Sequence, residues 1–266
     1  MRILLTNDDG IAAPGLAALY RAIADLGDIH VIAPAAVQSA TSHAVTFHRP
    51  IGTRRQTVRD DAGNPLFEGT AVEGRPADCV KLALHHLVPK PIDLVISGMN
   101  AGANVGINTF YSGTVGAARE AAICSIPALA VSLHIAKRDA IDWPRAAALA
   151  RTVIDRIVSQ PLEPQVMLNL NLPVLDDGAQ PRGLRVVPIS TSPIVEEYSF
   201  TDSAQGDRHF MASEIFNFRH QHPDTDVEAL FAGYMTLTPL LIDLTCPRSV
   251  QQWAKHLAGK TTPDKV

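Results

Sequence analysis

Two kinds of apolar pattern alternate between residues 2 and 171 of this chain. Short, branched apolar runs are typical of strands buried on both faces, and between them apolar residues recur at helical spacing. The strand-like runs cover residues 2–6, 29–33, 92–97, 128–133 and 166–171. The helical segments cover residues 14–26, 77–87, 114–124 and 144–158, and residues 51–70 are typical of a β-hairpin. This alternation predicts an α/β fold with a doubly wound, mostly parallel sheet.

The alternation stops near residue 183, which suggests a division of the chain. Residues 1–183 would form the core, and residues 184–245 a β-rich arm with a return to the core. We interpret the arm as a contact to another subunit. Residues 246–266 would form a C-terminal helix and tail.

Composition excludes several classes of protein. The chain has 266 residues, of which 46% are hydrophobic, so it can bury a large core. A net charge of −4 with mixed signs gives no basic patch for a nucleic-acid duplex. No apolar run approaches the roughly 18 residues of a membrane span, and no signal-peptide pattern opens the chain. Three scattered cysteines fit reduced thiols, so we expect a cytoplasmic protein without a membrane partner.

Two adjacent aspartates, Asp8 and Asp9, follow the first strand-like run. Ligands of open α/β sheets bind beyond the carboxyl ends of the strands, where these side chains would lie. Two like charges at a buried strand end need a counter-charge, which a hard divalent cation would supply. The alternative is a solvated turn, because Asp-Asp-Gly is also good turn chemistry.

Three glycines and two asparagines follow the strand-like run at 92–97, in Gly98-Met99-Asn100-Ala101-Gly102-Ala103-Asn104-Val105-Gly106. Asn100 offers a neutral oxygen to a cation, and Asn104 can donate a hydrogen bond to phosphate oxygens. A purely structural loop is the alternative. The pattern is not the dinucleotide fingerprint, since no helix start follows it directly.

A second small-residue segment, Ser112-Gly113-Thr114, stands immediately before a predicted helix. Free N–H groups and the helix dipole make such a position suitable for an anion, and we interpret it as a phosphate cradle. The alternative is a simple N-cap supplied by Ser112 or Thr114.

The types of ligand in these segments indicate which metal would bind. Oxygen ligands favour Mg²⁺, Mn²⁺ or Ca²⁺, and the ten histidines form no metal pattern. His43 alone lies near the predicted site, and a structural role suits it best.

Several of these segments together resemble the SurE (survival protein E) family of divalent-metal-dependent nucleoside monophosphate phosphatases. The motifs that carry the resemblance are Ile3-Leu4-Leu5-Thr6-Asn7-Asp8-Asp9-Gly10, the stretch from Ile96 to Gly106, and Tyr111-Ser112-Gly113-Thr114-Val115-Gly116. Further matches are Pro76-Ala77-Asp78-Cys79-Val80-Lys81 and Leu168-Asn169-Leu170-Asn171-Leu172-Pro173. The resemblance spans nearly the whole chain in order.

The resemblance implies a Rossmann-like catalytic core and a C-terminal β-arm exchanged between subunits, as a homodimer or homotetramer. It implies one divalent cation per subunit, Mg²⁺ or Mn²⁺, held by Asp8, Asp9, Ser39 and Asn100. From the residues alone, the loop of Ser39 leaves the sheet at the same edge as Asp8, and Ser39 could ligate a cation through its hydroxyl or be simply solvated. The implied substrates are nucleoside 5′- and 3′-monophosphates, with short polyphosphate in some members.

The expected reaction is metal-assisted hydrolysis of a phosphomonoester. Asn104, Ser112, Gly113 and Thr114 would hold the phosphate oxygens, so that Asn104 has a catalytic role. Asp8 is the candidate general acid or base, with simple metal ligation as its alternative role.

The sequence leaves open one rival mechanism and one rival function. An aspartyl-phosphate mechanism typically uses Asp-x-Asp, which adjacent Asp8 and Asp9 do not provide. A nucleotide-binding or scaffold module with a structural cation would bind nucleotide without turnover.

The chain departs from the family pattern in three places. Arg75 stands in Gly74-Arg75-Pro76 where Gly-Thr-Pro is common, Ala35-Ala36-Val37-Gln38 precedes Ser39, and residues 121–127 lack the usual glycines. These departures concern substrate preference and assembly more than the reaction.

Overall fold

The computed structural model describes residues 1–136, 141–161, 163, 165–175, 178, 180–195, 197–203, 205–212, 217–218 and 221–258. Its α-helices are α1 (Pro14–Ile23), α2 (Pro76–Leu82), α3 (Gly113–Ile123), α4 (Trp143–Val158), α5 (Asp226–Phe231) and α6 (Pro247–Ala258). The first seven strands are β1 (Arg2–Thr6), β2 (Asp28–Pro34), β3 (Thr53–Arg59), β4 (Pro65–Val72), β5 (Leu94–Ala101), β6 (Ala128–Leu133) and β7 (Val166–Leu172). The later strands are β8 (Leu184–Val186), β9 (Ile194–Val195), β10 (Tyr198–Asp202), β11 (Arg208–Ala212), β12 (Asn217–Phe218) and β13 (Met235–Leu241). The predicted tail beyond residue 258 lies outside the described residues.

Nine of these strands form one sheet in the order β3-β4-β2-β1-β5-β6-β7-β13-β8. The central strands from β4 to β7 are parallel, while β3 and β13 run antiparallel to their neighbours β4 and β7. The predicted hairpin over 51–70 is therefore confirmed as β3 and β4. The sheet confirms the predicted Rossmann-like, mostly parallel α/β fold.

Helices cover both faces of the sheet, which explains why its strands are apolar on both sides. Ile3 and Leu5 of β1 pack with α1 and α4 in one cluster, while Leu4 packs with α2 and α3 in the other. Alternate residues of a strand point to opposite faces, so a continuous apolar run supplies both clusters.

The strand order reverses between β1 and β5. From β1 the chain proceeds through β2 to the β4 side of the sheet, and it then returns to place β5 on the other side of β1. Loops that leave neighbouring strands in opposite directions open a crevice at the carboxyl ends of those strands. Asp8 and Asp9 follow β1, and Asn100 lies at the end of β5, so the fold itself brings them to this crevice.

Strand β5 extends further than the sequence predicts. We expected the strand to end at Gly98, but β5 continues to Ala101 with an irregular pairing to β6 between Ser97 and Asn100. Gly98 has a φ of +145°, and a Cβ there would lie 2.3 Å from the Val131 carbonyl oxygen. This close approach lets the strand bend past β6, so Asn100 belongs to the strand end instead of a free loop.

The segment after residue 183 contains short strands and exposed apolar side chains. Strands β10 and β11 pair as an antiparallel hairpin, and β9 pairs with β12. Helix α5 then leads to β13, which pairs with β7. Among the helices in the described ranges, none is both long enough and apolar enough to cross a membrane.

Candidate active site

The turn after β1 presents the two aspartates. The Asn7 side chain donates to the Gly10 carbonyl at 2.9 Å and accepts from the Gly10 N–H at 3.2 Å. Gly10 has a φ of +98°, a left-handed conformation that suits glycine. The turn chemistry of Asp-Asp-Gly is thus present, and it holds Asp8 and Asp9 at the crevice between β1 and β5.

Asp8 is buried against the start of α3. Its Oδ1 accepts from the Thr114 hydroxyl at 2.6 Å, and its Oδ2 accepts from the Thr114 N–H at 3.1 Å. Only 5% of Asp8 is exposed. Burial raises the pKa of Asp8 to about 6. The hydrogen bonds from Thr114 lower this pKa and the charge of Asp9 raises it, but burial has the largest effect.

Asp9 and Asn100 lie on the other side of the crevice. The Ala101 N–H donates to Asp9 Oδ2 at 3.3 Å, which places this carboxylate beside the end of β5. The Asn100 amide nitrogen donates to the Gly102 carbonyl at 2.7 Å. Since that bond engages the nitrogen, the side chain keeps its oxygen, which is the atom that a cation needs.

Ser39 follows a residue that is bonded directly to the aspartate turn. The Gln38 N–H donates to the Asp8 carbonyl at 2.8 Å, and the Thr41 hydroxyl donates to the Gln38 carbonyl at 2.9 Å. Ser39 itself is exposed. The structure therefore brings the loop of Ser39 to the same edge as Asp8, Asp9 and Asn100.

The donor chemistry of these four residues fits a hard divalent cation. Two carboxylates, a hydroxyl and an amide oxygen are ligands that Mg²⁺ and Mn²⁺ accept. In the described ranges, no group of three or more His, Cys, Asp or Glu side chains forms an alternative cluster.

The start of α3 is N-capped and lies against Asp8. Ser112 Oγ accepts from the Val115 N–H at 3.1 Å, so the cap is present. A Cβ at Gly113 would lie 3.0 Å from both Cβ and Oδ2 of Asp8, so only glycine lets the helix start approach the carboxylate this closely. Ser112, Gly113 and Thr114 therefore lie together beside Asp8.

Asn104 is buried in a network that the sequence did not predict. Its Nδ2 donates to Ser132 Oγ at 2.8 Å, and its backbone N–H donates to Asn171 Oδ1 at 2.8 Å. Its carbonyl accepts from the side chains of Asn169 and Asn171 at 2.8 and 3.1 Å. One hydrogen of its amide is thus committed to Ser132, and the second is the one that a phosphate oxygen could use. Two asparagines at alternate positions of a strand that is otherwise apolar were the sequence signal for this network.

A second unpredicted contact fixes the far end of the Ser39 loop. His43 Nε2 lies 2.7 Å from Glu120 Oε2, and the Lys81 ammonium donates to Glu120 Oε1 at 3.1 Å. The Ser42 N–H donates to the Tyr111 carbonyl at 2.9 Å. Gly116 permits this contact, since a Cβ there would lie 2.5 Å from the Ser42 carbonyl oxygen. The expected structural role of His43 agrees with this geometry.

With this geometry established, comparison with known proteins gives the family. A family model described as Survival protein SurE matches residues 3–195. The chain belongs to the SurE family.

Named relatives and a solved structure match the chain over nearly its full length. The 5′-nucleotidase SurE of Heliobacterium modesticaldum is 38% identical over 267 residues, which cover 99% of this chain and 94% of that protein. The 5′-nucleotidase SurE of Syntrophus aciditrophicus is 42% identical over 246 residues, which cover 92% of this chain and 90% of the relative. The crystal structure of the SurE protein from Aquifex aeolicus has a TM-score of 0.79 and 30% identity, over 97% of this chain and 100% of that one. The family and the fold predicted from the sequence are therefore confirmed.

Proposed function

We propose that this SurE-family protein is a divalent-metal-dependent phosphomonoesterase that hydrolyses nucleoside 5′-monophosphates to nucleoside and phosphate. Membership of a family whose relatives are 5′-nucleotidases makes the protein an enzyme of that class. The proposal extends to nucleoside 3′-monophosphates and short polyphosphate as further substrates. The observation that carries it is the buried Asp8 carboxylate, which lies beside Asp9 and against the first residues of α3.

Asp8, Asp9, Ser39 and Asn100 would hold one Mg²⁺ or Mn²⁺ ion. A bound divalent cation supplies Lewis-acid polarisation of the phosphoryl group and a more acidic water. The charge of two carboxylates and the oxygen-only ligand set support this assignment.

The start of α3 would hold the phosphate. The dipole of an eleven-residue helix favours negative charge at its N-terminus, and Ser112, Gly113 and Thr114 lie at that end. Asn104 would donate its second amide hydrogen to a phosphate oxygen, because the first is engaged by Ser132. Ser112, Gly113 and Asn104 would stabilise the charge that builds on the non-bridging oxygens in the transition state, and Thr114 would join them by giving up one of its two hydrogen bonds to Asp8.

Asp8 is the residue that we assign to proton transfer. It is the candidate general acid or base because it would lie beside both the ion and the leaving oxygen, with simple metal ligation as its alternative role. Its Oδ1 and Oδ2 are both oriented by Thr114, which fixes the carboxyl group relative to α3. From this position Asp8 would give a proton to the leaving oxygen of the nucleoside.

We also propose that the segment 184–245 mediates assembly into a homodimer or homotetramer. The β10–β11 hairpin leaves Tyr198, Phe200, Phe210 and Met211 each more than half exposed. Apolar side chains clustered on a surface are typical of an interface.

The test of the reaction is phosphate release from a panel of nucleoside 5′- and 3′-monophosphates with Mn²⁺, with Mg²⁺ and with excess EDTA. We expect turnover that requires the cation and falls at least a hundredfold in Asp9→Asn, because removal of one ligand charge weakens the ion and the transition state together. Asp61→Asn is the matched control, since Asp61 is exposed in the turn between β3 and β4.

Two results would contradict the proposal. Full turnover in EDTA would exclude a metal-dependent reaction. Tight nucleotide binding without turnover under every cation would favour the binding module instead.

A further inference from the structure

A cleft of about 270 Å³ adjoins the candidate active site on the β4 side. Its lining comes from the loop before Ser39, from Arg49 and from the end of β4, and comprises Ala35, Ala36, Gln38, Arg49, Val72, Glu73, Gly74 and Arg75. Pockets that hold a whole small-molecule ligand are usually roughly 300–1,000 Å³. A cleft of this size would therefore take one part of a substrate whose remainder lies elsewhere.

The cleft and the aspartates share one wall. The Gln38 N–H donates to the Asp8 carbonyl at 2.8 Å, while Gln38 also lines the cleft. The Ala35 N–H donates to the Val72 carbonyl at 2.7 Å, which joins the ends of β2 and β4. Strand β4 lies two strand spacings from β1, or roughly 10 Å, which is the scale of a sugar that carries phosphates on two hydroxyls.

The charge of the cleft favours an anion. Arg49 and Arg75 contribute two guanidinium groups against the single carboxylate of Glu73, and neither arginine forms an ion pair with Glu73 among the described residues. Arg49 donates to the Glu73 carbonyl at 3.3 Å, which leaves most of its donors available. The Arg75 side chain makes no hydrogen bond within the described part of the chain, although it is half-buried.

One buried aspartate fixes the backbone of Arg75 and joins it to the segment before Arg49. Asp78 is 3% exposed, and its carboxylate accepts from the Arg75 N–H at 2.8 Å and from the Thr46 N–H at 2.9 Å. Pro76 then begins α2 directly after Arg75. Asp78 thus holds the backbone of Arg75 directly, while Arg49 reaches the cleft through its own bond to the Glu73 carbonyl. Two guanidinium groups placed together suit recognition of a planar or tetrahedral anion.

From these observations we infer that Arg75 and Arg49 form a subsite for a second phosphate group on the substrate, beside the phosphate that is cleaved. The inference rests on the proposed function and specifies its substrate class. A nucleoside 3′,5′-bisphosphate and a linear polyphosphate share this chemistry.

The test compares kcat/KM for AMP, adenosine 3′,5′-bisphosphate and inorganic tripolyphosphate under saturating Mn²⁺. In Arg75→Thr we expect the ratio of either doubly charged substrate to AMP to fall about tenfold, the effect of one lost charged hydrogen bond. Arg75→Lys should lose less, since it keeps the charge, and Arg49→Thr should change the ratio in the same direction. Arg55→Thr, on the exposed face of β3, is the matched control and should leave the ratio unchanged.

The outcomes separate the subsite from the reaction itself. If Arg75→Thr lowers the kcat/KM ratio only for the bisphosphate, the second phosphate belongs to a nucleotide. If it lowers the ratio only for tripolyphosphate, the second phosphate belongs to a linear polyphosphate. A wild-type enzyme that hydrolyses AMP, with Arg75→Thr and Arg55→Thr giving the same ratios, overturns the subsite and leaves the proposed function intact. If no phosphomonoester is hydrolysed, calorimetric binding of adenosine 3′,5′-bisphosphate to the wild type and to Arg75→Thr still tests the subsite, and equal affinities overturn it.

Discussion

Glu120 illustrates how a single buried charge can organise a loop on another element. It lies on α3, is 5% exposed, and contacts both His43 and Lys81. His43 first, and then Lys81, hold the pKa of Glu120 below its ordinary value of 4.5. Loss of the carboxylate would leave the end of the Ser39 loop without its partner on α3.

We expect Glu120→Gln to lower the free energy of unfolding by about 1–3 kcal/mol at pH 7. A carboxyl group with a depressed pKa stabilises the fold above its unfolded pKa, and this contribution is lost as the pH falls through the folded pKa. The difference between wild type and variant should therefore shrink below about pH 4.5. Urea unfolding of the wild type and of Glu120→Gln at pH 7 and pH 4 measures this difference.

The control for this prediction is Glu68→Gln, because Glu68 is exposed on β4. A difference between wild type and Glu120→Gln that stays constant from pH 7 to pH 4 would contradict an electrostatic origin. Where the proposed metal site is correct, the variant also needs a higher Mn²⁺ concentration for half-maximal activity, while Glu68→Gln does not.

At the level of elements, the segment after β5 depends on the two strands beside it. Asn171 of β7 is fully buried and bonds both the N–H and the carbonyl of Asn104, while Ser132 of β6 accepts from its side chain. Two strands thus hold one residue that follows a third. Such a network is strong when every member is satisfied and costly when one is removed.

Asn171→Ala should therefore destabilise the protein by about 1–3 kcal/mol, because the buried Asn104 N–H loses its partner and the Asn104 carbonyl keeps only its bond from Asn169. On the proposed function, KM for AMP should also rise about tenfold as Asn104 loses its fixed position. Urea unfolding and steady-state kinetics measure the two effects.

Thr238→Val is the companion variant for this prediction. Thr238 lies on β13, opposite Asn169 of β7 in the sheet. The Thr238 hydroxyl is buried without a hydrogen-bond partner among the described residues, so its replacement by an isosteric methyl should be neutral or stabilise by up to about 1 kcal/mol. A large loss of stability in Thr238→Val, or none in Asn171→Ala, would count against this account of the network.

At the level of the whole molecule, the β10–β11 hairpin is exposed on a surface that carries large apolar groups. Phe200 and Phe210 are 56% and 65% exposed, and their ring centroids lie 6.2 Å apart. The Arg208 guanidinium lies 4.5 Å from the centroid of the Phe200 ring and also pairs with Asp202, so the hairpin is internally ordered. An ordered apolar surface of this kind is suited to a second subunit.

We expect the double variant Phe200→Ser, Phe210→Ser to sediment as a smaller species than the wild type in analytical ultracentrifugation. The reason is the loss of apolar area from the proposed interface. Phe47→Ser is the control, because Phe47 is 71% exposed but lies outside the hairpin. Equal sedimentation of all three proteins would assign assembly to another surface.

The fold could be predicted from the sequence because its signals are local. Branched apolar runs and helical repeats are set by side-chain periodicity, and their alternation dictates a parallel sheet with helices on both faces. The same rule placed Asp8, Asp9 and Asn100 at one edge, since parallel strands present their carboxyl ends together. Ser39 came only from the family resemblance, because an isolated loop serine has no local signature.

Only the tertiary structure decided the contacts that join distant parts of the chain. The extension of β5 past Gly98 depends on how closely the backbone approaches Val131, which no local pattern encodes. The bonds from Glu120 to His43, from Asn171 to Asn104 and from Asp78 to Thr46 span 77, 67 and 32 residues. Periodicity specifies which face of an element is buried, while the pairing of polar groups across elements follows from packing in three dimensions.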